Sequence, residues 1–135
     1  MSLLTPATAD EPLSTVEQTR QLCRITAEQI ADGSYEEAFA ALALHWPLPK
    51  ADLDRLAEQT RSMIAVVGER FGAPIGAEFV RTIEAGQSLV GHVFLMKHEK
   101  HALKLSCVFY RPREAWLVNA VLWDDKPRSL LDLVD

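Results

Sequence analysis

Residues 88–111, SLVGHVFLMKHEKHALKLSCVFYR, decide the fold. Two runs, 88–98 and 101–111, alternate in side-chain character and flank the polar segment Lys97-His98-Glu99-Lys100, as two strands of a hairpin should. With Glu99-Lys100 at the loop centre, Met96 falls opposite Leu103, Phe94 opposite Leu105, His92 opposite Cys107 and Val90 opposite Phe109. Side chains alternate across a strand, so these residues share one face. A second polar segment, Pro112-Arg113-Glu114-Ala115, leads into a further strand over 116–124. If Arg113-Glu114 centre that hairpin, Trp116, Val118, Ala120 and Leu122 join the same, nearly all-apolar face. Such a face requires a layer of helices over it.

The opposite face is expected to carry Leu89, Val93, Leu95, Val108, Tyr110, Leu117, Val121 and Trp123, mixed with Lys104, Ser106 and Asn119. A solvated sheet face alternates to polar residues far more than this, and a contiguous apolar patch marks an interaction surface. The expectation is a homodimer through this outer face, at Leu89, Val93, Val108, Tyr110, Val121 and Trp123, with the apolar tail Leu130, Leu131 and Leu133 helping to cover it.

Upstream, the hydrophobic period is helical. Pro12 and Ser14 open a helix whose stripe is Val16, Cys23, Ala27 and Ile30, and Asp32-Gly33 end it. Ser34 and Glu37 have the spacing of a capping box for a second helix carrying Tyr35, Ala38, Leu42 and Trp46, which Pro47 and Pro49 stop. A third helix runs from about Lys50 to Arg70 on the stripe Leu53, Leu56, Thr60, Met63, Ile64, Val67 and Phe71, with Gly72 as its cap. After a loop at 72–76, Phe79–Glu84 alternates as a first strand. The pattern predicts one α+β domain over 14–135, N-terminal helices on an antiparallel sheet of about four strands, with residues 1–13 a loose arm.

The 135 residues are ample for one core without staples. Fourteen basic residues against 19 acidic ones give a net charge of −5 with no basic run, which disfavours a nucleic-acid or anionic-membrane partner. No apolar run reaches the ~20 residues of a membrane span. The chain as it stands reads as cytoplasmic, or as exported if a leader preceded the polar segment Thr5–Pro12. Cys23 and Cys107 fit two buried thiols, or a disulfide tying helix to sheet in an oxidising compartment.

No motif names a chemistry: G-x-S-x-G, H-E-x-x-H, C-x-x-C and a phosphate-binding glycine loop are all missing. The candidate pocket-lining residues are His92, Cys107, Phe94, Phe109, Trp116, Arg81 and Asp124. His92 is the polar break on the inner face, and a Cys107–His92 pair could in principle make a thiolate. Asp124 ends the last strand, at a cavity mouth or in a turn, and Arg81 could bind an acidic ligand or pair with a carboxylate. His98 and His101 flank a hairpin tip but lack a third metal ligand. No catalytic residue, metal or cofactor is assigned.

Two segments carry a resemblance: DGSYEEAF at 32–39 and FYRPREAWLV at 109–118. With helices preceding a bent antiparallel sheet, residues 14–125 resemble the NTF2-like or cystatin-like α+β superfamily, in particular its small bacterial domains of unknown function. The resemblance implies a cone-like sheet wrapped round a helix, a pocket between them, and subunits paired through sheet faces. Enzymes of that superfamily, such as ketosteroid isomerase-like proteins, place an acidic base in the pocket. Here the inner face holds no carboxylate before Asp124, and the strand that often lies between the helices is missing. The expectation is therefore a non-catalytic dimeric module that holds an apolar small molecule or a partner segment between helices and sheet. The alternative is a small isomerase- or hydrolase-type enzyme with His92 or Asp124 as general base.

Overall fold

A computed structural model describes residues 11–131. Three helices precede four strands: α1 (Val16–Ala31), α2 (Tyr35–Ala43), α3 (Lys50–Phe71), β1 (Pro74–Ala85), β2 (Leu89–His98), β3 (Ala102–Tyr110) and β4 (Leu117–Asp124), with a closing 3₁₀ turn η1 (Pro127–Leu131). The strands form one open antiparallel sheet in the order β1-β2-β3-β4. The α+β class expected from the pattern is the class observed.

Helix α1 starts on a reciprocal cap. The Gln18 N–H donates to Thr15 Oγ1 at 3.1 Å, and Gln18 Oε1 accepts the Thr15 N–H at 3.0 Å. The capping box expected at Ser34 and Glu37 does not form. Asp32 Oδ1 takes the Ser34 N–H at 2.9 Å, leaving Glu37 no donor to reach back to. Leu13, expected in a loose arm, is buried and bridges to Trp116, whose N–H donates to the Leu13 carbonyl at 2.8 Å. Residues 1–10 of that arm, and Leu133 of the tail, lie outside the described residues.

The β2–β3 register is the expected one, with Met96 opposite Leu103, Phe94 opposite Leu105, His92 opposite Cys107 and Val90 opposite Phe109. The β3–β4 register is not. Phe109 faces Val118 but Val108 faces Ala120, so Asn119 is an extra residue in a β-bulge. Beyond it every side chain changes face. Val121 and Trp123, expected outside, point to the helices, whereas Ala120 and Leu122, expected inside, face outward, Leu122 being 62% exposed. The bulge gives the inner layer a valine and a tryptophan in place of an alanine and a leucine. It also gives the Trp123 indole N–H a partner, Thr60 Oγ1 on α3 at 3.0 Å.

Strand β1 begins earlier than its alternation suggests and carries its own irregularity at Val80, between the pairs Phe79–Phe94 and Arg81–Val93. Phe79 thus lies over Phe94 on the inner side, ring centroids 5.4 Å apart, while Arg81 turns outward and Thr82 inward opposite His92. The core is Cys23, Ala27 and Ile30 of α1, Phe39 and Leu42 of α2, Leu53 and Val67 of α3, and the inner faces of β2 and β3. At the α3–β1 junction Gly72 adopts φ +85°, and Glu99 of the β2–β3 hairpin accepts the Ala73 N–H at 3.0 Å.

Candidate functional site

His92 sits at the centre of the inner face, fully buried, between α1 and β1. Thr19 Oγ1 lies 2.8 Å from its Nε2, and Thr82 Oγ1 2.8 Å from its Nδ1. The tautomer follows from proton counting. Thr19 spends its only hydroxyl proton on the Val16 carbonyl at 2.6 Å, so it can only accept from Nε2–H. Nδ1 is then the unprotonated nitrogen and accepts from the Thr82 hydroxyl. Burial foremost, with the Arg20 cation second, pushes the His92 pKa down to about 4, against a smaller upward pull from Glu17. The ring is neutral at neutral pH, satisfied at both nitrogens and closed to solvent.

Cys107 lies across the strand from His92 and is joined to Cys23 of α1 by a disulfide, with Cα atoms 5.8 Å apart and both residues fully buried. The thiolate pairing of Cys107 with His92 is therefore excluded, because the sulfur is already bonded. Cys23 Sγ also lies 3.9 Å from the His92 carbonyl; a bridged sulfur carries no proton, so this is van der Waals contact. Thr19 and Cys23, one turn apart on α1, thus meet His92 and Cys107 on adjacent strands. One covalent bond and one hydrogen-bonded ring pin the helix to the sheet at the same level.

The other candidates are dispersed. Phe94 and Phe109 are fully buried: Arg24 lies over the Phe94 ring at 5.1 Å, and Phe109 leans on His92 at 6.0 Å. Trp116 is buried at the sheet's far end, with the Arg111 guanidinium 4.8 Å over its ring and no partner for its indole N–H among the described residues. Asp124 is the last residue of β4 and its side chain ties down the turn that follows: Oδ1 accepts the Lys126 N–H at 2.8 Å, and Oδ2 lies 3.4 Å from Lys104 Nζ. Arg81 is on the outer face, where Nη1 reaches the Leu130 carbonyl at 3.4 Å. His98 and His101 bind the Gly72 and Asp125 carbonyls at 3.1 and 2.9 Å, and His101 stacks on Phe71. No cluster of potential metal ligands exists among the described residues.

His92, Cys107, Phe94 and Phe109 come together, then, but as a filled core. The hollows formed by the described residues lie elsewhere: a groove of about 490 Å³ over Leu13, Leu22, Ile25 and Ala41, and troughs around α3 and η1. Thr19 and Thr82, which hold the His92 ring, are not among the residues that the sequence singles out. The available signal was Thr19 itself, a polar residue in register with the α1 stripe three positions after Val16 and four before Cys23. No protein-family model, no curated protein and no solved structure matches the chain.

Proposed function

We propose that the protein is a non-catalytic module of the NTF2-like or cystatin-like kind that works as a homodimer through its outer sheet face. The observation that carries this is the composition of that face on the side away from η1. Ile83, Leu89, Val108, Tyr110, Leu117, Ala120 and Leu122 share it with Gly91 and Ser106, and none of these residues is charged. Ile83 is 55% exposed, Tyr110 44% and Leu122 62%. Water against such a face is unfavourable in proportion to its apolar area. A twofold copy would present the same uncharged patch to itself.

Two features support an interaction role over a catalytic one. The space between helices and sheet is occupied by Phe94, Phe109, Leu42 and Ile30, so an apolar ligand has no room there without repacking. His92 and Asp124, the two possible bases, are held by Thr19 and Thr82 and by the Lys126 turn. The patch differs from the one expected: Val121 and Trp123 leave it for the inner layer, Val93 is already buried within the chain, and Ile83 and Leu122 take their place. Sedimentation equilibrium tests this. The expected result is a dimer at micromolar concentration that Leu122→Asp or Ile83→Asp converts to a folded monomer. A wild-type chain that stays monomeric at those concentrations refutes the proposal.

A further inference from the structure

Strand β1 puts Arg81 on the outer face because of the irregularity at Val80, and η1 crosses that end of the sheet just beside it. Between them lies a trough of about 590 Å³ walled by Val80, Leu95, Ala102, Leu130 and Leu131, with the exposed Arg128 of η1 also on its lining. Arg81 is half-buried at its edge. Its guanidinium has five N–H donors, and the contact found for it among the described residues is the single 3.4 Å approach to the Leu130 carbonyl. No carboxylate lies within ion-pair distance of it there. Glu78 lines the same trough but stands 3.7 Å from Lys97 Nζ, which offsets its charge. Asp124 is likewise committed to Lys104 and the following turn. The hollow thus combines an apolar floor with two guanidinium groups, of which Arg81 is the half-buried one and, the Leu130 carbonyl apart, meets no acceptor among the described residues.

We propose that this trough binds an apolar monoanion, a molecule with an alkyl or similar hydrophobic body and one carboxylate, the carboxylate engaging Arg81. A forked guanidinium matches a carboxylate in two parallel charge-assisted hydrogen bonds. The aliphatic walls would take the tail, leaving the polar end at the rim where β1 meets η1. The site is on the opposite side of the sheet from His92. It also lies at the other end of the outer face from Ile83, Leu89 and Tyr110, so binding does not depend on dimer formation.

The test uses decanoate below its micellar concentration on the full chain, with 1-decanol as the uncharged comparison, followed by calorimetry and by amide and methyl NMR shifts. The expected result is decanoate binding at least tenfold tighter than decanol, with shifts at Val80, Leu95 and Ala102. Arg81→Gln should abolish the difference between the two ligands. Ala102→Phe, which fills the trough and keeps the guanidinium, should weaken both. Equal affinity for decanoate and decanol overturns the proposal, as does decanoate binding that survives Arg81→Gln. Shifts confined to Ile25 and Leu22, in the groove beside α1, overturn it too. So does a chain that binds decanoate only after residues 132–135 are removed, since the occupant would then be its own tail. Sedimentation of the same samples reports the dimer separately.

Discussion

Acid should loosen the helix–sheet junction before it affects the rest of the molecule. The perturbation is protonation of His92. Its folded pKa, about 4, lies below the ordinary value of 6.5, so between those values the unfolded chain binds a proton that the folded chain refuses. The stabilisation is therefore complete above pH 6.5 and is lost as pH falls towards 4. A gap of about 2.5 pH units, at roughly 1.4 kcal/mol per unit, makes the whole effect ~3 kcal/mol, of which ~2 kcal/mol is gone by pH 5. Other groups titrate alike in wild type and in a His92 variant, so the difference between the two chains isolates this imidazole. Urea titrations followed by tryptophan fluorescence at pH 7, 6 and 5 measure it, with His92→Gln as the comparison, a side chain that cannot take up the proton. The wild type should lose ~2 kcal/mol over that range and the variant much less. Should His92→Gln fail to fold, ¹⁵N NMR of the wild-type imidazole gives the answer directly, as an Nε2–H tautomer persisting below pH 5. An imidazole titrating near 6.5 in the native protein, or equal pH slopes in the two chains, would refute the reasoning.

Three further outcomes follow from the packing. The Cys23–Cys107 bridge closes a sequence separation of 84, so its removal by Cys23→Ala with Cys107→Ala should cost about 4–5 kcal/mol on chain-entropy grounds. Thiol titration should find no free thiol in the native protein, and dithiothreitol should act only with denaturant present, because both residues are fully buried; two reactive thiols would contradict the bridge. The Asn119 bulge is tested by a neighbouring pair: Val121→Asp, placing a charge in the core, should cost ~3 kcal/mol or more, while Leu122→Asp should leave monomer stability within about 0.5 kcal/mol. The reverse ranking would restore the simple hairpin register. Gly72→Ala should cost about 1–2 kcal/mol in urea, since φ there is +85° and the new Cβ would lie 2.9 Å from Glu99 Oε1.

Much of this architecture is legible because periodicity reports burial directly. The stripes of α1 and α3, and the alternation of β2 and β3, put Cys23, Ile30, Val67, Phe94 and Phe109 in the core as read. The shift at Asn119 is not legible, since a bulge leaves the residue composition of a strand unchanged and only alters its count against the partner. Its determinants are tertiary: the Trp116 and Val118 N–H groups bond the Leu13 and His45 carbonyls, and Trp123 finds Thr60, all distant in sequence. The same holds for the centre of the site. His92 was visible as a polar break, but the state of Cys107 depended on where α1 crosses the sheet. Once Cys23 is brought to 5.8 Å from Cys107, the thiol chemistry that proximity to His92 had suggested is replaced by a covalent tie. Arg81 changed meaning for a similar reason, as the Val80 irregularity carries it to the face opposite the helices.

Solvent accessibility of methyl groups at working concentration tests the proposed dimer most directly. A soluble paramagnetic agent added to methyl-labelled protein broadens whatever water reaches. If the outer sheet faces pair, the Ile83, Leu89 and Leu122 methyls will be protected at high concentration and exposed on dilution, while Leu44 and Leu48, 51% and 58% exposed on the helical side, stay broadened throughout. Broadening of Ile83 and Leu122 equal to that of Leu48 at every concentration would contradict the proposed interface.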